Sequence, residues 1–167
     1  MIEIRRARPE DSAALGEVHA ASWAASHAVF FEPEFAERAV RDRRTRWHGR
    51  IAAGNGLLLV ADVDGRPMAL SYSLPSPTRP GLAEIYSFYC HPDGWGHGIA
   101  KALMIETLAQ LDDQGYPGVH LRTLRDTPQS HRFYAKSGFT ESGTETTFDY
   151  GDGNQLPLIE YERIGRS

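Results

Sequence analysis

The segment covering residues 82–104 limits what this chain can become more than any other. Residues 82–90, Leu-Ala-Glu-Ile-Tyr-Ser-Phe-Tyr-Cys, read as a long strand. His91-Pro92-Asp93-Gly94-Trp95-Gly96-His97-Gly98 follows, and residues 98–113 then read as a helix ended by Gln114-Gly115. Gly94, Gly96 and Gly98 let the backbone turn tightly and approach a ligand. A helix that starts immediately after them offers unpaired N–H groups and the positive end of its dipole. The direct physical inference is a diphosphate site at the junction of strand and helix; the plainer reading is a glycine-rich turn without a ligand.

Two phosphate templates fail on this segment. A P-loop needs Gly-x-x-x-x-Gly-Lys-Ser/Thr, whereas here Lys101 follows Ala100 and is itself followed by Ala102. A dinucleotide fingerprint needs Gly-x-Gly-x-x-Gly/Ala. Counted from Gly96 and Gly98, Lys101 stands where the third small residue belongs. Val119-His120-Leu121 occupies the stretch where that fingerprint expects an acidic ribose contact.

The flanking pattern reads as one domain, residues 1–167, without repeats or a linker. Ile2–Arg6 alternates as a half-buried strand, and Pro9, Glu10 and Asp11 open a helix carrying Ala14, Leu15, Val18 and Ser22. Residues 22–50 read as a second helical stretch interrupted near Pro33. Its aromatics Trp23, Phe30, Phe31, Phe35 and Trp47 read as core, with a substrate-pocket wall as the alternative. Residues 57–63 and 68–74 read as strands joined by Asp64-Gly65, a pair suited to a tight turn with positive φ at both positions. Residues 75–81 form a proline-rich loop and 119–124 another strand. Thr127 and Pro128 then mark the N-cap and first position of a helix closed by Gly138. Strands near 145–150 and 156–163 end the chain. The apolar residues of the 98–113 helix cover most of its circumference, which predicts packing on more than one side. The order describes a mixed α/β (α+β) fold, with a mostly antiparallel central sheet of six to seven strands flanked by helices.

Composition narrows the partners. With 18 basic and 22 acidic residues and a net charge of −4, the chain lacks the basic surplus of a dedicated nucleic-acid binder. Arg38, Arg41, Arg43, Arg44, Arg46 and Arg50 read as the solvated face of a helix, or else as a site for an acidic substrate or partner. No apolar run is long enough to span a bilayer, and residues 1–9 lack the apolar core of a signal peptide. A cytoplasmic protein is expected. Cys90 is the one cysteine, so no internal disulfide forms. It reads as a small buried hydrophobe, not as a covalent nucleophile. His91, His97, His120 and His131 match no zinc spacing, and no metal is expected. Asp112 and Asp113 read as solvated surface.

Trp95-Gly96-His97-Gly98-Ile99-Ala100 resembles the acetyl-CoA loop of the GNAT superfamily, written Arg/Gln-x-x-Gly-x-Gly/Ala, matching at Gly98 and Ala100 and departing at Trp95. A second match lies at Ser130-His131-Arg132-Phe133-Tyr134-Ala135-Lys136-Ser137-Gly138-Phe139, similar to the family's helix ending in Phe/Leu-Tyr-x-Lys-x-Gly-Phe. Thr127 stands in place of the usual Asn and Ser130 in place of a usual Ala. The resemblance runs from Leu57 to the end of the chain.

The resemblance implies an acetyl-CoA-dependent N-acetyltransferase acting on a primary amine of a small molecule or peptide. Homodimers are frequent in that family. It places the cofactor against Phe88, Tyr89, Cys90, Trp95, Gly96, His97, Gly98, Ile99, Ala100, Thr127, Ser130 and Tyr134. Tyr134 donates the proton to the departing thiolate, and a phenol neutral at pH 7 suits that role. Glu84 sits where the histone-acetylating branch carries a general base. At ~3.3 Å per residue it lies about 13 Å from Phe88, so water must relay the proton; His91 and Tyr86 are reserves. The alternatives are a non-catalytic acyl-CoA-binding module on the same fold, which Trp95 and Thr127 favour, and a nucleotide-phosphate-binding enzyme.

Overall fold

In the computed structural model, which describes residues 1–165, β1 spans Ile2–Arg6 and a 3-10 turn at Pro9–Asp11 leads into α1 (Ser12–Ser26). Helices α2 (Pro33–Thr45) and α3 (Trp47–Ala53) precede strands β2 (Leu57–Val63), β3 (Arg66–Pro75) and β4 (Ala83–Cys90). Helix α4 (Ile99–Asp113), β5 (Gly118–Leu124), α5 (Pro128–Lys136), β6 (Thr140–Asp149) and β7 (Gln155–Ile164) complete the order. The strands form a seven-stranded sheet ordered β1-β2-β3-β4-β5-β7-β6. The pairs β1–β2, β2–β3, β5–β7 and β6–β7 are antiparallel, and β4–β5 is parallel. A parallel pair needs a crossover connection, and α4 lies in it. The mixed, mostly antiparallel sheet expected from the sequence is present.

Several local expectations are refined. Asp64 and Gly65 both take positive φ, 51° and 84°, as the hairpin requires. Pro33 opens α2 at its first turn and does not interrupt a helix; the break lies in residues 27–32. Helix α4 buries one stripe, Ile99, Leu103, Met104, Thr107 and Leu111, and leaves Ile105 60% exposed. The fully buried residues lie on one face, where the composition predicts packing on more than one side. Strand β6 starts at Thr140 and not near Glu145: its first residues are polar and exposed, and a register shift falls between Glu141 and Glu145.

The chain divides into two compact units: Met1–Leu74 with Ser87–Thr107, and Pro75–Tyr86 with the chain from Leu108 onward. In the first, Leu15, Val18, Trp47, Val60, Leu70 and Tyr72 form one apolar cluster, and Trp23, Ala36 and Ala39 another. Helices α1 and α2 approach so closely at Gly16 that a Cβ there would overlap the Arg44 carbonyl oxygen. Arg5 on β1 forks to Asp11 at 2.8 and 2.9 Å and reaches Asp62 on β2 at 2.7 Å. The Arg5 hydrogen bonds, with the Arg8 amide, hold the Asp11 carboxyl below its ordinary range against the upward pull of burial. In the second unit Val119, Leu121, Leu124, Phe139, Leu158 and Tyr161 are buried.

Candidate functional site

In the first unit, β4 ends in a loop shaped by its glycines. Gly94 is buried, and a Cβ there would meet Ile99 Cδ1 at 2.8 Å. Gly96 and Gly98 are different: their φ values are 81° and 77°, and a Cβ on either would meet nothing within 4 Å. They are there for a conformation that residues with a side chain rarely adopt, and they face open space. Residues 95–98 are all exposed. The α4 hydrogen-bond ladder begins with the Ala102 amide donating to the Gly98 carbonyl at 3.1 Å. The amides of Ile99, Ala100 and Lys101 therefore stand ahead of the ladder, at the positive end of the helix.

Trp95, the residue that departs from the acetyl-CoA loop pattern, has its own structural task. Its indole Nε1 donates to the Cys90 carbonyl at 2.9 Å and latches the loop to the end of β4. Burial pushes the Cys90 thiol up to about 11, and its Sγ points at the His91 carbonyl 3.6 Å away. A thiol in that state is neutral at physiological pH, which fits the reading of Cys90 as a buried hydrophobe. Phe88 and Tyr89 are half-buried on the same strand.

Tyr89 stacks on His19 with ring centroids 4.2 Å apart. His19 is 2% exposed and its Nδ1 accepts from Trp47 Nε1 at 3.0 Å, so Nε2 carries the imidazole proton. Burial, with the charges of Arg43, Arg46 and Arg50, pushes its pKa down to about 2. The basic run is only partly a solvated face. Arg38, Arg41 and Arg44 are exposed. Arg43 is buried, with its guanidinium 4.4 Å above the Trp23 ring, and Arg50 is half-buried 4.7 Å from the Trp47 ring.

In the second unit Glu84 is 4% exposed. Arg122 Nη2 lies 3.5 Å and His120 Nε2 3.6 Å from its Oε1, long contacts that are more electrostatic than hydrogen-bonded. His120 is fully buried: Nε2 lies 2.6 Å from Ser76 Oγ and Nδ1 3.2 Å from Glu160 Oε2. Ser76 Oγ also accepts from the Arg79 amide at 3.0 Å, and the Arg79 side chain reaches Glu160 and Glu162. Burial pulls the Glu160 carboxyl upward, but Ser142, His120 and Arg79 together hold it below the ordinary value. A cleft of about 450 Å³ opens here, lined by Arg79, Arg122, Thr146, Glu160 and Glu162 among others. Sequence reading missed this network, whose members are scattered over residues 76–162. The one available signal is His120 in the middle of an apolar strand, between Val119 and Leu121. Among the described residues, no group of three or more acidic, His or Cys side chains is arranged to hold a metal ion.

Helix α5 also departs from expectation at its start. Thr127 sits at the N-cap but does not cap: its Oγ1 donates backward to the Leu124 carbonyl at 2.7 Å. The Ser130 amide donates to the Thr127 carbonyl at 3.0 Å. Tyr134 is half-buried, its ring 6.0 Å from Phe139 and 5.9 Å from Tyr161. His131 Nε2 lies 2.8 Å from the Arg125 carbonyl and Nδ1 2.6 Å from the Tyr161 hydroxyl. A carbonyl only accepts, so Nε2 donates there and Nδ1 accepts from the phenol. This pair fixes the ring against which Tyr134 packs. The first unit thus gathers Phe88, Tyr89, Cys90 and the loop 95–100; the second carries Glu84, Thr127, Ser130 and Tyr134.

Residues 20–139 match the family model of the Acetyltransferase (GNAT) family. The chain belongs to the GNAT family. A mycothiol acetyltransferase of Arthrobacter sp. (strain FB24) is 27% identical over 137 residues, covering 79% of this chain. An uncharacterised N-acetyltransferase of Mycobacterium tuberculosis (strain H37Rv) is 35% identical over 89 residues, covering 53% of this chain. This GNAT chain covers 42% of the first relative's length and 56% of the second's. The fold matches the crystal structure of the PaiA N-acetyltransferase from Thermoplasma acidophilum in complex with coenzyme A, with TM-score 0.77 at 23% identity over 98% of this chain and 99% of that one. It likewise matches an N-acetyltransferase from Staphylococcus aureus Mu50, with TM-score 0.76 at 21% identity over 98% of both chains. No helix among the described residues is long and apolar enough to cross a membrane.

Proposed function

We propose that residues 1–167 form one acetyl-CoA-dependent N-acetyltransferase domain that acetylates a primary amine of a small molecule or peptide. The observation that carries this reading is the row of exposed residues 95–98, continued by the helix-start amides of Ile99, Ala100 and Lys101. The loop fits a coenzyme A diphosphate: its amides lie ahead of the α4 ladder, and Gly96 and Gly98 put no side chain in the way. The backbone from Trp95 to Ala100, including His97, takes the diphosphate. Main chain at Phe88, Tyr89 and Cys90, with Thr127 and Ser130, positions the pantetheine arm.

The reaction needs a neutral amine, whose free pKa near ~10.4 leaves it charged at neutral pH. Glu84 takes the amine's proton through water; Arg122 and His120 hold the buried carboxylate in place. The amine nitrogen attacks the acetyl carbon, the N–C bond forms and the C–S bond breaks. Tyr134 gives its proton to the departing sulfur, and backbone N–H groups at the end of β4 stabilise the developing oxyanion.

The test is thiol release from acetyl-CoA against a panel of amines, with native protein and with Tyr134→Phe. We expect turnover by the native protein and a kcat loss on the order of 100-fold in the variant, with coenzyme A affinity unchanged. Unchanged transfer by Tyr134→Phe removes the phenol from the mechanism. Tight coenzyme A binding with no turnover of any amine identifies a binding module instead.

A further inference from the structure

The helical side of the first unit holds donors without acceptors. His19 Nε2, Trp23 Nε1 and Arg50 Nη1 are buried and have no hydrogen-bond partner. His19 Nε2 must carry a proton, because Nδ1 already accepts from Trp47. Burying a donor without an acceptor costs roughly 1–3 kcal/mol, and more when the group is charged. Arg50 lies with its guanidinium 4.7 Å from the Trp47 ring and 5.4 Å from the Tyr72 ring, and no carboxylate pairs with it among the described residues. Asp42, the acid that acts on it electrostatically, is ion-paired with Arg46. The rings of His19, Trp47, Tyr72 and Tyr89 are in successive contact, at centroid distances of 4.2 to 5.8 Å. One cation and one neutral N–H thus flank a wall of aromatic rings ending at Tyr89, the strand residue assigned above to the pantetheine arm.

We propose that Arg50 and the His19 Nε2–H form a subsite for a carboxylate carried by the acceptor, so that the substrate is an amine with a carboxylate close by, as in an amino acid. This inference rests on the acetyltransferase reading and names its substrate class. Arg43 Nη1 donates to the Ala39 carbonyl at 3.0 Å with its guanidinium over Trp23, and Arg46 is ion-paired with Asp42, which leaves Arg50 as the cation seated on the Trp47 and Tyr72 rings. A guanidinium presents a planar fork that matches a carboxylate. Ordering Arg50 between Trp47 and Tyr72 fixes the direction of that fork before a ligand arrives.

The test compares L-amino acids with their carboxamides, which keep the amine and size but lose the charge. With native protein and acetyl-CoA, the acids are expected to be preferred at least ~10-fold in kcat/KM, the effect of a hydrogen bond to a charged group. Arg50→Gln should erase that preference through KM for the amine and leave KM for acetyl-CoA unchanged; Arg50→Lys should restore part of it. Carboxamides used as well as the acids, or a preference that survives Arg50→Gln, overturns the proposal. The native acid-to-amide ratio needs no variant, so the proposal stays open to refutation even where Arg50→Gln folds poorly. If no amine turns over, the acetyl-transfer reading fails and thermal stabilisation decides the subsite by itself. Stabilisation by the amino acids and not by their amides supports it. Equal stabilisation by both, or by neither, sinks it.

Discussion

Gly98→Ala separates the conformational role of the loop from its ligand role. Gly98 has φ 77°, and the added methyl would meet no protein atom within 4 Å. The folded protein therefore bears only the backbone cost of a left-handed residue, roughly 1–2 kcal/mol. For a chain of this size each kcal/mol lowers Tm by about 2–4 °C, so the variant should melt about 2–8 °C lower. If the loop cradles a diphosphate, the same methyl projects into the ligand's place. Loss of ~2 kcal/mol of charge-assisted hydrogen bonding would then weaken coenzyme A about 30-fold. Gly115→Ala is the control: Gly115 has φ 91°, equally open space, and follows the far end of α4. It should melt lower by a similar amount and bind coenzyme A as the native chain does. Melting curves and calorimetric titration with coenzyme A read both quantities. Equal coenzyme A affinity in Gly98→Ala and Gly115→Ala would refute the reasoning.

Two further outcomes concern the first unit. His19 is neutral in the fold, with its pKa pushed down to about 2, and titrates near 6.5 when unfolded. The unfolded chain then binds the extra proton, so this contribution to stability is present above pH 6.5 and falls by ~1.4 kcal/mol per pH unit below it. Denaturant midpoints should show about 2 kcal/mol lost between pH 7 and pH 5, and His19→Gln should flatten that slope; an identical slope in the variant counts against the assignment. Gly16→Ala gains up to ~1 kcal/mol of helix propensity but forces a methyl onto the Arg44 carbonyl, an overpacking cost of ~1–3 kcal/mol, so net destabilisation is expected in the same assay. A stabilised variant would show that α1 and α2 can part cheaply.

The elements most legible in the sequence were those with backbone-level signatures. Asp64-Gly65 announced a turn because few residues tolerate positive φ in succession, and the alternating glycines before α4 marked a loop that needs φ values of 77–81°. The start of β6 was hidden because Thr140, Glu141 and Glu145 are exposed and polar, so no apolar alternation marks them. Thr127 looked like a cap by residue type, but its hydroxyl had a nearer acceptor in the Leu124 carbonyl. The candidate site divides in the same way. The glycine loop proposed to take the diphosphate is contiguous in the chain and readable there. The contacts of Glu84 with His120 and Arg122, and of His19 with Trp47 and Tyr89, join residues far apart in sequence. The arginine run from Arg38 to Arg50 reads as a solvated face or a site for an acidic partner, because charge alone does not reveal which guanidinium lies over a tryptophan.

The most direct measurement is a backbone amide titration of the isotope-labelled chain with coenzyme A and, in parallel, with pantetheine, which shares the arm but has no diphosphate. The account predicts that coenzyme A shifts the amides of Gly96 to Lys101 most strongly and that pantetheine leaves them in place. Equal shifts with both ligands, or coenzyme A shifts centred elsewhere, would contradict it.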